Sequence, residues 1–225
     1  MSNQSSDSSV PALLAQQRAF VGAVLGNRFV AEILERMHGS DLPQWYLSGG
    51  CLFQTVWNTE HGFEPSAGIL DYDLFYFDGS DLSTHSEQMV GEELARTFAH
   101  LPVDIEVRNQ ARVHLWYEEE FRAPCRAFER CEDGIDGFLA TCCCFGIRHT
   151  DNTRLDVYAP HGFDDLFSLV VRPNPVRTIE SGALSDVYEA KVQRWSHTWP
   201  RLKIVQWPRD KSRSAQQPVA AGGHA

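Results

Sequence analysis

The sequence lacks any long uninterrupted apolar run, and its opening MSNQSSDSSV has neither a basic start nor an apolar stretch. A membrane span and a secretory leader are therefore not expected, and the cytoplasm is the default compartment. Positive charge is also scarce: 20 basic residues against 30 acidic ones leave a formal net charge of -10. Such a field repels nucleic acid and anionic membrane, which makes a long polynucleotide a poor candidate substrate. The six cysteines, at 51, 125, 131, 142, 143 and 144, have neither the spacing of a disulfide framework nor the paired CxxC of a zinc site. They read as buried free thiols. Internal repeats and low-complexity blocks are absent as well, which excludes solenoids and arrays.

What is present suffices for a folded core, since 225 residues can bury a large hydrophobic interior without staples. Residues 1–10 and 209–225 are poor in large apolar side chains and are expected to be disordered. Between them the reading is an α/β core over 11–160, a mixed sheet flanked by helices, and a C-terminal helical portion over 161–208.

From Pro11 to about Met37, apolar residues recur at helical spacing with a break near Gly26. A short run, Trp45 to Leu47, ends in Ser48, Gly49 and Gly50, and an apolar helical pattern follows, so this segment reads as strand, tight turn, helix. Residues 69–78 alternate: Asp71, Asp73, Phe75 and Phe77 fall on one strand face, and Leu70, Tyr72, Leu74 and Tyr76 on the other. A helix capped by Ser83 leads to a second strand over 103–108. Helical patches near 112–121 and 131–140 precede a hairpin whose strands are expected over 142–148 and 154–159. Further helices are expected from Phe163 to Val170 and from about Leu184 to Trp195.

Two carboxylates on one face of an apolar strand repel each other, and a divalent cation removes that cost. Asp71 and Asp73 are thus candidate metal ligands. Gly49 and Gly50 open a helix, where free N–H groups and missing side chains suit a phosphate. Glu106, flanked by Ile105 and Val107, is the candidate third carboxylate. Asp104 competes with it and is set on the opposite face. Glu106 is preferred because Ile105 and Val107 then face the covering helices together.

Asn109, Gln110, Arg112 and His114, leaving the strand end, are candidates to grip base, ribose or triphosphate. Lys191, Arg194, Arg201 and Lys203 are candidates to neutralise phosphate, ranked below the carboxylates. Trp57, Trp116, Trp195 and Trp199 read as packing residues before base-stacking ones.

A glycine pair opening a helix, a DxD strand and a lone acid on a later strand resemble the nucleotidyltransferase superfamily of polymerase β-like enzymes. The stretches WYLSGGCLFQTVWN, ILDYDLFYFD, EVRNQARVHLW, FDDLFSLVVRPNP and RWSHTWPRL resemble the bacterial nucleotidyltransferase family formerly described as a domain of unknown function. The resemblance implies Asp71, Asp73 and Glu106 as a triad holding Mg²⁺ or Mn²⁺, and Ser48, Gly49 and Gly50 as the phosphate-side loop. It implies transfer of a nucleoside monophosphate from a nucleoside triphosphate to a small-molecule or protein acceptor. The alternatives are a non-catalytic nucleotide- or partner-binding module on the same fold and a DxD-type glycosyltransferase. The latter would need neither the glycine turn nor the later acid.

Overall fold

The computed structural model describes residues 9–151, 154–180 and 183–208. The expected disorder of 1–8 and 209–225 falls outside those residues. Ser9 and Val10, expected to be disordered, already belong to α1 (Ser9–Leu25). Val10, Leu13 and Leu14 are exposed there, while Phe20 and Val24 are fully buried.

The break near Gly26 is a true helix boundary. Asn27 caps α2 (Arg28–Met37), its Oδ1 accepting from the Phe29 N–H at 3.1 Å. Its Nδ2 donates to Thr55 Oγ1 at 3.0 Å and to the Tyr72 hydroxyl at 3.2 Å. One buried amide therefore starts a helix and ties it to the sheet, satisfying groups that would be costly to bury alone.

The expected strand, turn and helix form β1 (Tyr46–Ser48), Gly49 and α3 (Gly50–His61). The alternating run is β2 (Asp71–Tyr76), followed by α4 (Thr84–Thr97), which Ser83 caps, and β3 (Asp104–Asn109). A 3₁₀ helix over Gln110–Leu115 leads to α5 (Tyr117–Phe121) and α6 (Cys131–Asp136), and the hairpin is β4 (Gly146–Asp151) with β5 (Arg154–Tyr158). The cysteine run lies outside that hairpin. Thr141–Cys143 form a buried 3₁₀ turn, and pairing starts only at Gly146.

The sheet order is β3-β2-β1-β4-β5, mixed because only β2 and β3 run parallel, joined through α4. Alternation along β2 then divides the molecule. Tyr72, Leu74 and Tyr76 enter the main hydrophobic cluster with α1, α2 and α3. Phe75 enters a second cluster with Tyr46, Cys131, Ile135 and Cys144. Asp71 and Asp73 share the Phe75 face.

The C-terminal third is more than helical. After α7 (Asp164–Phe167), shorter than the expected helix, the chain turns through Leu169 at φ +57° into β6 (Val170–Val171). Then come α8 (Pro175–Glu180), α9 (Ala183–Thr198) and β7 (Lys203–Ile204), which pairs parallel with β6. The Tyr188 hydroxyl lies between these strands, 3.0 Å from the Val171 oxygen and 2.7 Å from the Val205 oxygen. Trp57 meets Trp195 and Trp199 edge to face at 5.5 and 5.3 Å, so α9 packs on α3 within the main cluster. Such ring pairs contribute roughly 0.5–1.5 kcal/mol each beyond area burial, and they hold α9 over the carboxylate face of the sheet.

Candidate active site

The glycine turn and the aspartate pair meet at van der Waals limits. Gly49 has φ +73°, a region L side chains rarely adopt, and a Cβ there would lie 1.8 Å from Asp73 Oδ2. At Gly50 it would lie 2.6 Å from Gln54 Nε2 and 3.8 Å from Asp71 Oδ1. Gly49 is therefore required by its dihedral and by Asp73, whereas a side chain at Gly50 would displace only the end of Gln54. The Ser48 hydroxyl donates to the Phe145 oxygen at 2.7 Å in the interior, so it fixes the loop and is not presented to a phosphate.

Register brings the third acid into place: Asp73 pairs with Glu106, and Asp71 with Asp104. The expectation that Asp104 faces away from Glu106 is corrected here. Residues two apart in a strand share a face, so all four acids lie on one side of the sheet. Position along the strand separates them, because Glu106 lines the cavity and Asp104 is exposed outside it.

Crowding shows in the acidities. Burial, then Asp71 and Glu106, push the Asp73 carboxyl up to about 7, against the pull of Lys191 and Arg108. Asp71 is also raised, by burial and then by Glu106, with Lys191 opposing. No described residue donates a hydrogen bond to either aspartate side chain, whereas Glu106 is ion-paired with Arg108. Among the described residues no three His, Cys, Asp or Glu side chains are drawn together tightly enough to hold an ion. By their chemistry the three acids suit a hard divalent cation: all offer carboxylate oxygens, a cation would relieve their mutual repulsion, and two of them have no hydrogen-bond donors.

The site opens into a cavity of about 1030 Å³. On α9, Lys191 and Arg194 line it opposite the aspartates, while Arg201 and Lys203 lie outside; Arg201 pairs with Glu60 at 3.9 Å. Of the polar residues Asn109, Gln110, Arg112 and His114, Gln110 and Arg112 line the cavity, and the Gln110 Oε1 would lie 2.0 Å from a Cβ at Gly134. Asn109 is buried and engaged: its Oδ1 accepts from the N–H groups of Asp78 and Ala111, at 3.0 and 3.1 Å. Arg112 is ion-paired with Glu87 and donates to the Leu82 oxygen at 2.9 Å and Thr84 Oγ1 at 2.9 Å. Both brace the wall. His114 is not in the lining.

Three contributors were missed in the sequence. Arg108 shares the carboxylate face by alternation, a signal that was legible. Glu87 and Gln54 reach the site from helices, and nothing local announces that.

A sequence model described as Nucleotidyltransferase matches residues 35–204. The chain belongs to the nucleotidyltransferase family. That membership sets aside the glycosyltransferase alternative. The chain is also similar in fold to a protein whose NMR structure reveals a CCA-adding enzyme head domain, with a TM-score of 0.66 and 20% identity. The likeness covers 79% of this chain and 89% of that one. No protein of curated function matches in sequence. No helix among the described residues is long and apolar enough to cross a membrane.

Proposed function

We propose that this nucleotidyltransferase moves a nucleoside monophosphate from a nucleoside triphosphate to a small-molecule or protein acceptor, with Asp71, Asp73 and Glu106 holding Mg²⁺ or Mn²⁺. One observation carries the reading: the Asp73 carboxyl, crowded by Asp71 and Glu106, lies against Gly49 with no room for a Cβ. A stability-driven sequence would remove such repulsion; a cation-binding one needs it.

The rest of the wall has matching work. Gly49 and Gly50 let a phosphate approach the start of α3, where unpaired N–H groups favour an anion. Lys191 and Arg194 balance triphosphate charge from across the cavity. Arg108 occupies Glu106 in the resting site and, being half-exposed, can swing aside when the carboxylate takes a cation. A divalent cation bound here would draw charge from the α-phosphate and lower the pKa of the attacking hydroxyl. The acceptor oxygen bonds to the α-phosphorus as that atom's bond to the pyrophosphate oxygen breaks. Pyrophosphate leaves with the electron pair, and the hydroxyl proton passes to solvent.

A binding module without catalysis remains the second reading, favoured by the Arg108 guanidinium standing where Glu106 would meet a cation. Calorimetric titration with ATP, GTP, CTP and UTP, with and without Mg²⁺, tests the first reading. Metal-dependent binding of a nucleotide, lost in Asp71→Asn and Asp73→Asn, supports it; a folded protein that binds no nucleotide refutes it. Nucleotide binding with no pyrophosphate released, whatever acceptor is offered, favours the second.

A further inference from the structure

The cavity has two unlike halves, and α9 measures them. Its lining residues Leu184, Val187, Lys191, Arg194 and Thr198 follow at three- and four-residue steps, so one helix face runs along the cavity for about 21 Å. The middle of that face is cationic and opposes the aspartates. Its beginning is apolar and is joined to α8, where Arg177 donates to the Tyr117 hydroxyl and lies 5.1 Å from that ring. Around this end stand Trp116, Tyr117 and Phe121, with ring centroids 4.7 to 6.4 Å apart. Phe138 stacks on Phe75 at 5.9 Å. These rings are only partly buried, except Phe75, whereas the rings of the main core are covered. Half-exposed rings gathered in a concavity, with the Gln110 carboxamide among them, are the makings of a ligand subsite.

We infer that this aromatic half is the acceptor subsite, and that it takes a small, neutral or cationic molecule with a ring-bearing apolar body and a hydroxyl. The inference rests on the transferase reading above. Displacement at phosphorus is in line, so the attacking oxygen and the leaving pyrophosphate lie on opposite sides of the α-phosphorus. The glycine turn and the cations of α9 claim the pyrophosphate. The acceptor therefore arrives from the other side, where the rings are. Charge selects among acceptors: Glu118, Glu119 and Glu120 of α5 are exposed beside these rings, and Glu120 lines the cavity. An acidic rim repels a polyanion and attracts an ammonium group, which a ring face also favours. The cavity volume is at the upper end for a single ligand site, about 300–1000 Å³, and leaves space for nucleotide and acceptor together.

The test uses the full chain, Mg²⁺ and the four nucleoside triphosphates, with tyramine as the cationic ring probe. A short RNA with a free 3′ hydroxyl and a tyrosine-containing peptide serve as comparators. Binding of tyramine is read by tryptophan fluorescence, product by mass spectrometry, and nucleotide binding separately by calorimetry. Expected are a nucleotidylated tyramine, little or no product on RNA or peptide, and about tenfold weaker tyramine binding in Trp116→Ala, with nucleotide affinity unchanged. Glu120→Lys, at an exposed position that leaves folding intact, weakens tyramine a few-fold more than it weakens neutral 2-phenylethanol. RNA or peptide modified in preference to tyramine overturns the inference. So does tyramine that competes with the nucleotide, or that ignores both substitutions while metal-dependent nucleotide binding persists. Failure of nucleotide binding itself refutes the underlying reading instead.

Discussion

The two edges of the five-stranded sheet treat charge in opposite ways, on one and the same face. On the hairpin side, Arg148 of β4 pairs with Asp156 of β5 at 3.1 Å and lies 4.2 Å over the Tyr46 ring. The Tyr46 hydroxyl donates to the same aspartate at 2.9 Å. At the other edge, β2 and β3 stack Asp71 beside Asp104 and Asp73 beside Glu106, with Arg108 as the cation of β3. One edge is arranged for stability, since Arg148 and Asp156 neutralise each other against the Tyr46 ring and hydroxyl. The other keeps acids against acids, and that unrelieved repulsion separates the functional edge from the structural one.

The sharpest way to break this comparison is Asp73→Asn. Its nucleotidyl transfer should fall by at least about a thousandfold, about 4 kcal/mol of lost transition-state stabilisation, in a protein whose circular dichroism is unchanged; retained activity would remove Asp73 from the chemistry. Next in size is Glu87→Ala, which leaves the nearly buried Arg112 unpaired and also frees the Asn109 N–H that Glu87 accepts at 2.8 Å. A loss of roughly 3 kcal/mol in urea unfolding is expected. Gly49→Ala combines a strained φ with a Cβ driven into Asp73. It should lose about 2 kcal/mol and most metal-dependent nucleotide binding.

The pH response is smaller and has an unusual sign. The Asp73 carboxyl is raised from 3.8 to about 7 on folding. Between those values the folded chain holds more protons than the unfolded one, so metal-free stability should fall as pH rises through that window. The slope from this group is at most about 1.4 kcal/mol per pH unit. Asp73→Asn should flatten this part of the curve, and denaturant melts at several pH values would show it. The mildest change is Arg148→Ala on the hairpin edge. It should lower stability by about 1 kcal/mol or less and leave activity untouched; a large activity loss would show that the two edges are not separate.

The sequence signals that worked share one physical basis, because each is local. Alternation over 69–78 put Asp71 and Asp73 on one face and Tyr72 and Leu74 on the other, and the structure has that division. Glycines after a short apolar run announced the turn at Gly49, and Ser83 announced its helix. Errors arose where local patterns were overridden or misapplied. The thiols at 142–144 are apolar enough for a strand, but the bridge between Ala140 and Pro173 and the 3₁₀ turn end that option. Asp104 was set on the wrong face although the two-residue period places it with Glu106. Asn109 suggested a substrate contact, and burial makes it a brace, while Arg112 does line the cavity with its guanidinium engaged by Glu87, Leu82 and Thr84.

By itself the sequence determined most elements up to β3, the two faces of β2 and the identity of the crowding acids Asp71, Asp73 and Glu106, because periods of 2 and 3.6 and the chemistry of glycine and capping residues act within a few positions of the chain. Only the tertiary structure decided which distant groups share one space. Parallel register chose Glu106 over Asp104 for the cavity, packing of Trp57 against Trp195 and Trp199 brought Lys191 over the aspartates, and the return of α8 closed the aromatic half around Tyr117. Those are distances between residues far apart in the chain, and no local period encodes them.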